Sequence, residues 1–314
     1  MGATADKPVA PDTHSPHDAP ATPVMQATSR APRLTAARLA GRVAFYLLVG
    51  AVLVYTIFPF FWAFLSSIKP NNELFATPTR YWPEHPTLDN YRIVLENDNF
   101  LMALRNSAVV AISVTTLSLA LGLLAAYSLG RFRFRGRSLV LYTVLAMTMF
   151  PQIAVLGALF QMVNYFGLYN KLPALVLTYF IFTLPFTVWV LTGFLKAIPA
   201  EIEEAAYVDG ASPFQVFYKI MLPLAVPGMA TTGLLAFIAA WNEFLFALSF
   251  TQTPDKRTIT YAIQAFSAST AGVFEIPWGP MMAASVLVTV PLVVLALIFQ
   301  RQILAGLTAG AVKG

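Results

Sequence analysis

Six apolar stretches, each long enough to cross a bilayer, leave few folds open to this chain: residues 43–66, 106–130, 138–163, 172–194, 224–250 and 281–300. A span needs about 20 apolar residues, and hydrocarbon offers no water to an unpaired amide, so each stretch must be helical. The expected fold is an all-α membrane protein with six transmembrane helices in one domain over residues 41–314. Composition agrees, since only 11% of residues are charged, whereas a soluble domain carries about 25%. Pro59, Pro151, Pro185 and Pro291 fall inside these stretches and predict kinks packed against neighbouring helices.

Residues 1–40 are rich in Pro, Ala, Thr and Ser, with no apolar period. Too little apolar surface is available there to offset the entropy of ordering, which predicts a disordered tail. The tail lacks the apolar core of a cleavable signal, so the first span is expected to be retained. Gly2 would suit myristoylation, but Asp6 stands where Ser or Thr is required, which argues against it. With both termini in the cytoplasm, 13 of the 20 lysines and arginines lie inside: five in the tail, four in "RFRFRGR", two between spans four and five, and two at the C-terminus. The positive-inside rule therefore favours that orientation in a multi-pass membrane protein. Segments 67–105 and 251–280 then face outward, and the segment between spans four and five is the longest cytoplasmic loop.

Several chemistries are disfavoured. The chain has no cysteine, which removes disulfides, thiolate nucleophiles and cysteine metal sites. Its histidines, His14, His17 and His85, all lie outside the apolar stretches, so no metal site and no catalytic residue is expected. The net charge of +5 sits mainly beside the spans, where it sets orientation and meets anionic lipid rather than nucleic acid. No phosphate-binding "GxxxxGK[ST]" is present.

The cytoplasmic loop, residues 199–223, is the polar anomaly of the chain. Pro199 suits a first helical position, and Glu201, Glu203 and Glu204 sit where the helix dipole favours acids. A short helix is expected to Val208, with Gly210 as the left-handed residue that ends it. Ser212-Pro213 reads as a new N-cap, and a second short helix should run to Ile220 or Met221 until Pro223 stops it. Ala205 and Ala206 permit close approach by another surface, and Phe214, Phe217 and Tyr218 supply apolar material. Spacing alone fits either a docking element or an amphipathic pair resting in the head groups.

The pattern Glu204-Ala205-Ala206, Gly210, then Ile220-x-Leu222-Pro223 resembles the EAA loop of binding-protein-dependent ABC importer permeases. "LPFTVWVLTGFLKAIPAEIEEAAYVDGA" and "LPLAVPGMATTGLLAFIAAWNEFLFALSF" extend the likeness to the smaller, maltose-type carbohydrate permease over residues 40–314. The resemblance implies the type I importer permease fold and a non-enzymatic, multi-pass subunit of the bacterial inner membrane. It further implies that Glu204, Ala205, Ala206 and Gly210 contact an ATPase or shape the bend, with Ile220, Leu222 and Pro223 closing the loop. ATP and magnesium would be bound by that partner, and this chain would need no cofactor. The implied assembly contains a second homologous permease, two ATPase subunits and an extracytoplasmic sugar-binding protein. The outside loop 251–280 and the C-terminal segment around Lys313 are further contacts implied in the same way.

Polar groups inside the spans are the candidates for a translocation path. Asn242 and Glu243 lie in span five, and Gln152, Gln161 and Asn164 in span three. A membrane carboxylate normally faces a cavity or a partner. Neutral amides suit sugar hydroxyls, and Trp241 or Tyr179 could stack on a sugar ring, although amides also join helices to one another. Gln152, Trp241, Asn242 and Glu243 are the path candidates, beside that packing role. The principal alternative, an ion-coupled secondary transporter, calls for inverted repeats and several midplane acids, and Glu243 is the one clear membrane acid. A membrane enzyme would need paired carboxylates or a nucleophile–base pair at the span ends, where none is seen.

Overall fold

The computed structural model describes Gly2 and residues 36–270 and 276–309. Most of the expected tail over 1–40 lies outside the described residues, as do residues 271–275 of the outside loop and Lys313. Contacts divide the chain into two units, Met1–Thr56 and Ile57–Gly314, with the boundary inside the first helix.

Helix α1 covers Ala36–Ser67 and is followed by the short helices α2 (Asn71–Leu74) and α3 (Asp89–Leu95). Then come α4 (Asp98–Arg131), α5 (Arg137–Thr148), α6 (Gln152–Tyr165) and α7 (Leu172–Ala197). The loop helix α8 is Glu201–Val208, and α9 begins at Pro213–Gln215. α10 (Leu222–Trp241), α11 (Leu245–Phe250), α12 (Ile259–Thr270) and α13 (Trp278–Ala309) complete the chain. Among the described residues, five helices are long and apolar enough to span, or six when α5 and α6 count as one broken span.

Two expected spans are corrected. Residues 138–163 do not form one rod, because α5 and α6 meet at 94° across Met149, Phe150 and Pro151. Pro151 lacks the N–H that would continue the ladder, and the chain restarts with Pro151 as the N-cap of α6. Residues 224–250 likewise break after Trp241, and helix resumes only at Leu245. Freed amides at that break find a partner in the Glu243 carboxylate.

The second unit is organised around α4 and α7, which pack along most of their length. Gly122 makes this approach possible, since a Cβ there would sit 2.7 Å from Thr187 Cγ2. Beside it, the Ser118 and Thr183 hydroxyls share a 2.8 Å hydrogen bond, and Thr183 and Thr187 also donate back to their own helix. Small residues and hydroxyls are how membrane helices pack where lipid is as apolar as leucine.

At one end of this pair, Asn106 Nδ2 donates to the carbonyls of Asp255 (2.9 Å) and Arg257 (3.0 Å). Ser107 Oγ accepts from the Ile259 amide at 2.8 Å, so the segment after α11 is fastened to α4. At the other end, Leu123, Ala126 and Tyr127 of α4 join Leu191 and Leu195 of α7 in a separate apolar cluster. The loop between α7 and α10 is seated on that cluster.

Candidate functional site

The first arm of the loop is α8, with Glu201, Glu203 and Glu204 in its opening turn. Its end is a Schellman arrangement: Gly210 N–H donates to Tyr207 O at 3.1 Å, and Ala211 N–H to Ala206 O at 3.0 Å. That closure requires a left-handed residue, and Gly210 has φ +82°. A Cβ at Gly210 would meet nothing within 4 Å, so backbone conformation rather than crowding favours glycine here.

The second arm starts with a capping box. Ser212 Oγ accepts from the Gln215 amide at 3.3 Å, and the Ser212 amide donates to Gln215 Oε1 at 2.8 Å. Pro223 was expected to stop this arm, and it does not. Residues Val216–Met221 are wound as a wide π-helix that leads directly into α10. A proline ring collides with the carbonyl four residues back in a regular α-helix, and the wider turn just before Pro223 gives it room. The second arm is therefore the beginning of span five, and Leu222-Pro223 continue the helix instead of closing the loop.

The motif residues separate by exposure. Ala206, Val216 and Met221 are buried in the cluster with Leu123, Tyr127 and Leu195, and Ile220 and Leu222 pack against it half-buried. Glu204, Ala205, Gly210 and Pro223 are exposed, along with Tyr207, Val208 and Phe214. The loop thus presents one apolar face to the membrane helices and another face outward.

A link between α8 and α4 was not read from the sequence. Arg131 Nε lies 2.8 Å from Glu203 Oε1, both side chains being about nine-tenths buried. The contact is electrostatic, because the N–H is not directed at the carboxylate in hydrogen-bond geometry. Arg131 also donates through a terminal nitrogen to the Ile198 carbonyl at 2.9 Å, joining the ends of α4 and α7 to the start of the loop. Burial raises the Glu203 carboxyl above its ordinary value, and the Arg131 charge opposes that rise. Tyr127 lies across the same junction, its ring 5.0 Å from that of Phe217. In the sequence, "RFRFRGR" shows only charge that sets orientation, and Glu203 only an acid favourably placed against the helix dipole. Nothing local in the sequence joins positions 131 and 203.

The path candidates are divided among different surroundings. Gln152 and Glu243 line one cavity of about 290 Å³, together with Tyr179, Phe182, Thr183 and Phe186. Glu243 is engaged by its own chain there: Oε1 accepts from the Phe246 amide at 2.8 Å and Oε2 from the Ala247 amide at 3.2 Å. It caps α11 where span five is broken, and its carbonyl accepts from Thr260 Oγ1 at 2.7 Å. Trp241 is buried away from this cavity, stacked on Phe237 at 5.5 Å, beside a different groove that includes Leu104 and Phe299. Asn242 is exposed and donates to Ile238 O at 3.0 Å. Gln161 and Asn164 are exposed on α6.

Residues 99–308 match the family model described as binding-protein-dependent transport system inner membrane component. The chain belongs to that family. It is 40% identical over 276 residues to the trehalose transport system permease protein SugB of Mycobacterium tuberculosis, covering 88% of this chain and 99% of the relative. It is 41% identical over 272 residues to the trehalose/maltose transport system permease protein MalG of Thermococcus litoralis, covering 85% and 96%. Among solved structures, a chain of a bacterial ABC transporter that imports the acidic polysaccharide alginate superposes with a TM-score of 0.74 at 20% identity, over 86% of this chain and 99% of that one. The importer-permease fold and the membrane location of this family member are thereby established.

Proposed function

We propose that the chain is the permease subunit of an ATP-driven importer of di- or oligosaccharides, with both termini cytoplasmic. An extracytoplasmic binding protein delivers the sugar, a second homologous permease completes the path, and two ATPase subunits hold ATP and magnesium. The observation that carries this reading is the two-faced loop. Its inner face, built on Ala206, Val216 and Met221, is seated on α4 and α7, and its outer face presents Glu204, Ala205 and Tyr207. Such an element is suited to receive force from a soluble partner and pass it into span five, with which its second arm is continuous. The trehalose and trehalose/maltose names of the relatives above support a disaccharide-sized cargo. Gln152 and the ring of Phe186, both accessible in that cavity, offer a hydroxyl partner and a stacking face for a sugar at the permease interface.

The test is purification of the complex with and without loop substitutions. Wild type should bring down an ATPase and take up sugar only with ATP. Glu204→Lys should weaken ATPase association through the outer face. Gly210→Pro should break the bend and separate hydrolysis from uptake while membrane insertion continues. Sugar uptake by a preparation free of any ATPase would sink the importer reading.

A further inference from the structure

We infer that residues 75–82 form an interfacial anchor, with Tyr81 and Trp82 seated in the lipid head-group layer at the Ser67 end of α1. The segment that follows α1 folds back on that helix. Trp82 meets Phe61 edge-to-face at 5.8 Å, and Tyr81 meets Trp62 at 6.1 Å. Phe61 and Trp62 lie six and five residues before Ser67, which is about 8 Å back along the helix. The rings of the loop therefore sit to the membrane side of the helix end.

This return is held by buried polar contacts. Lys69, 2% exposed, places its ammonium 4.8 Å from the Trp62 ring centre and donates to the Arg80 carbonyl at 2.5 Å. The Glu73 carboxylate, also buried, accepts from the Glu84 and His85 amides at 2.9 Å each. Thr87 N–H donates to Ile68 O at 2.8 Å, and Asn90 Nδ2 binds the Ser67 and Lys69 carbonyls. With both ends of the return fixed, the two aromatic residues are nevertheless 67% exposed each, and Phe75 is 54% exposed. A water-facing loop gains nothing from rigidly displaying such rings.

Depth and chemistry both point to lipid. The apolar run Leu39–Ser67 has 29 residues, about 44 Å of helix against a hydrocarbon core of about 30 Å. Centred in the bilayer, it would extend roughly 7 Å past the hydrocarbon at each end, which puts Phe61 and Trp62 at the boundary. Tyr and Trp rings, apolar with one polar tip, favour that level. The neighbouring α1 surface is continuous with it and equally apolar, with Phe58, Phe60 and Phe64 exposed.

Because the chain has no cysteine, single-site labelling is clean. Trp82→Cys would be spin-labelled in the assembled transporter, with cysteine-free partners, in phosphatidylcholine nanodiscs. Glu96→Cys, at an exposed charged site of the same segment, serves as the aqueous control. Relaxation by oxygen should exceed relaxation by a water-soluble nickel chelate several-fold at position 82, and the order should reverse at position 96. Tyr81→Cys should report the same depth, so that the result does not hang on one variant. Nickel access at 82 equal to that at 96 would place the loop in water, and protection from both reagents would place it against another subunit; either overturns the anchor. The measurement rests on the membrane reading and not on ATP coupling, so loss of ATPase association would leave it unaffected.

Discussion

At the level of single residues, the Arg131–Glu203 contact gives the loop a pH dependence whose sign is fixed. Burial holds the Glu203 carboxyl above its ordinary value, with Arg131 pulling the other way. The folded protein therefore binds this proton more readily than the unfolded chain does. Stability from the group is complete below the ordinary glutamate range and is lost as pH rises through the raised value. Hydrogen exchange of the α8 amides, corrected for intrinsic rate, should accordingly show slower opening at acid pH and faster opening just above the ordinary glutamate range. Glu203→Gln should flatten that profile. Arg131→Met should move the transition further upward, because the charge that opposes the rise is gone. An unchanged profile in both variants would assign the effect to other groups.

At the level of the helical element, the break in span five separates a packing role for Glu243 from a role in the sugar path. Its two oxygens accept from the Phe246 and Ala247 amides, and those residues are fully buried. Glu243→Ala leaves both donors without an acceptor, at about 1–3 kcal/mol each, and should sharply lower the thermal stability of the purified complex. Glu243→Gln keeps one acceptor and should retain most of that stability together with a wild-type KM for uptake. A raised KM in a stable Gln variant would instead mean that the carboxylate contacts sugar. The same region shows how far the sequence was legible. Hydropathy located the spans, because lipid requires long apolar runs wherever a helix crosses. Pro151 announced a kink in residues 138–163 but not the 94° between α5 and α6, and no proline stands at Asn242–Phe244 to mark the break there. The bend at Gly210 was legible from the one residue type that tolerates its backbone. The wide turn before Pro223 was not, because proline normally signals a stop and its accommodation depends on how the preceding residues wind. Arg131 and Glu203 escaped notice because their meeting is a product of α4 and α8 packing, with 71 residues between them.

For the molecule as a whole, the proposed coupling raises the question of what moves when α8 is displaced. The cluster of Leu123, Tyr127, Leu195, Ala206, Val216 and Met221 draws residues from α4, α7, both loop arms and the π turn into one buried contact set. Arg131 adds polar links from α4 to Glu203 and to the Ile198 carbonyl. Packed interiors resist continuous deformation, so displacement of α8 should carry the adjoining ends of α4, α7 and α10 with it as one body. This makes an unusual prediction about cross-linking. Arg131→Cys combined with Glu203→Cys removes the ion pair and should leave a transporter that hydrolyses ATP with poor uptake. Joining the two cysteines with a short bifunctional maleimide should restore uptake per ATP, because it replaces one rigid connection with another. Were α8 instead to slide against α4 during each cycle, the same cross-link would lock the transporter and abolish uptake. The ratio of sugar taken up to phosphate released, measured in proteoliposomes before and after cross-linking, decides between rigid transmission and sliding.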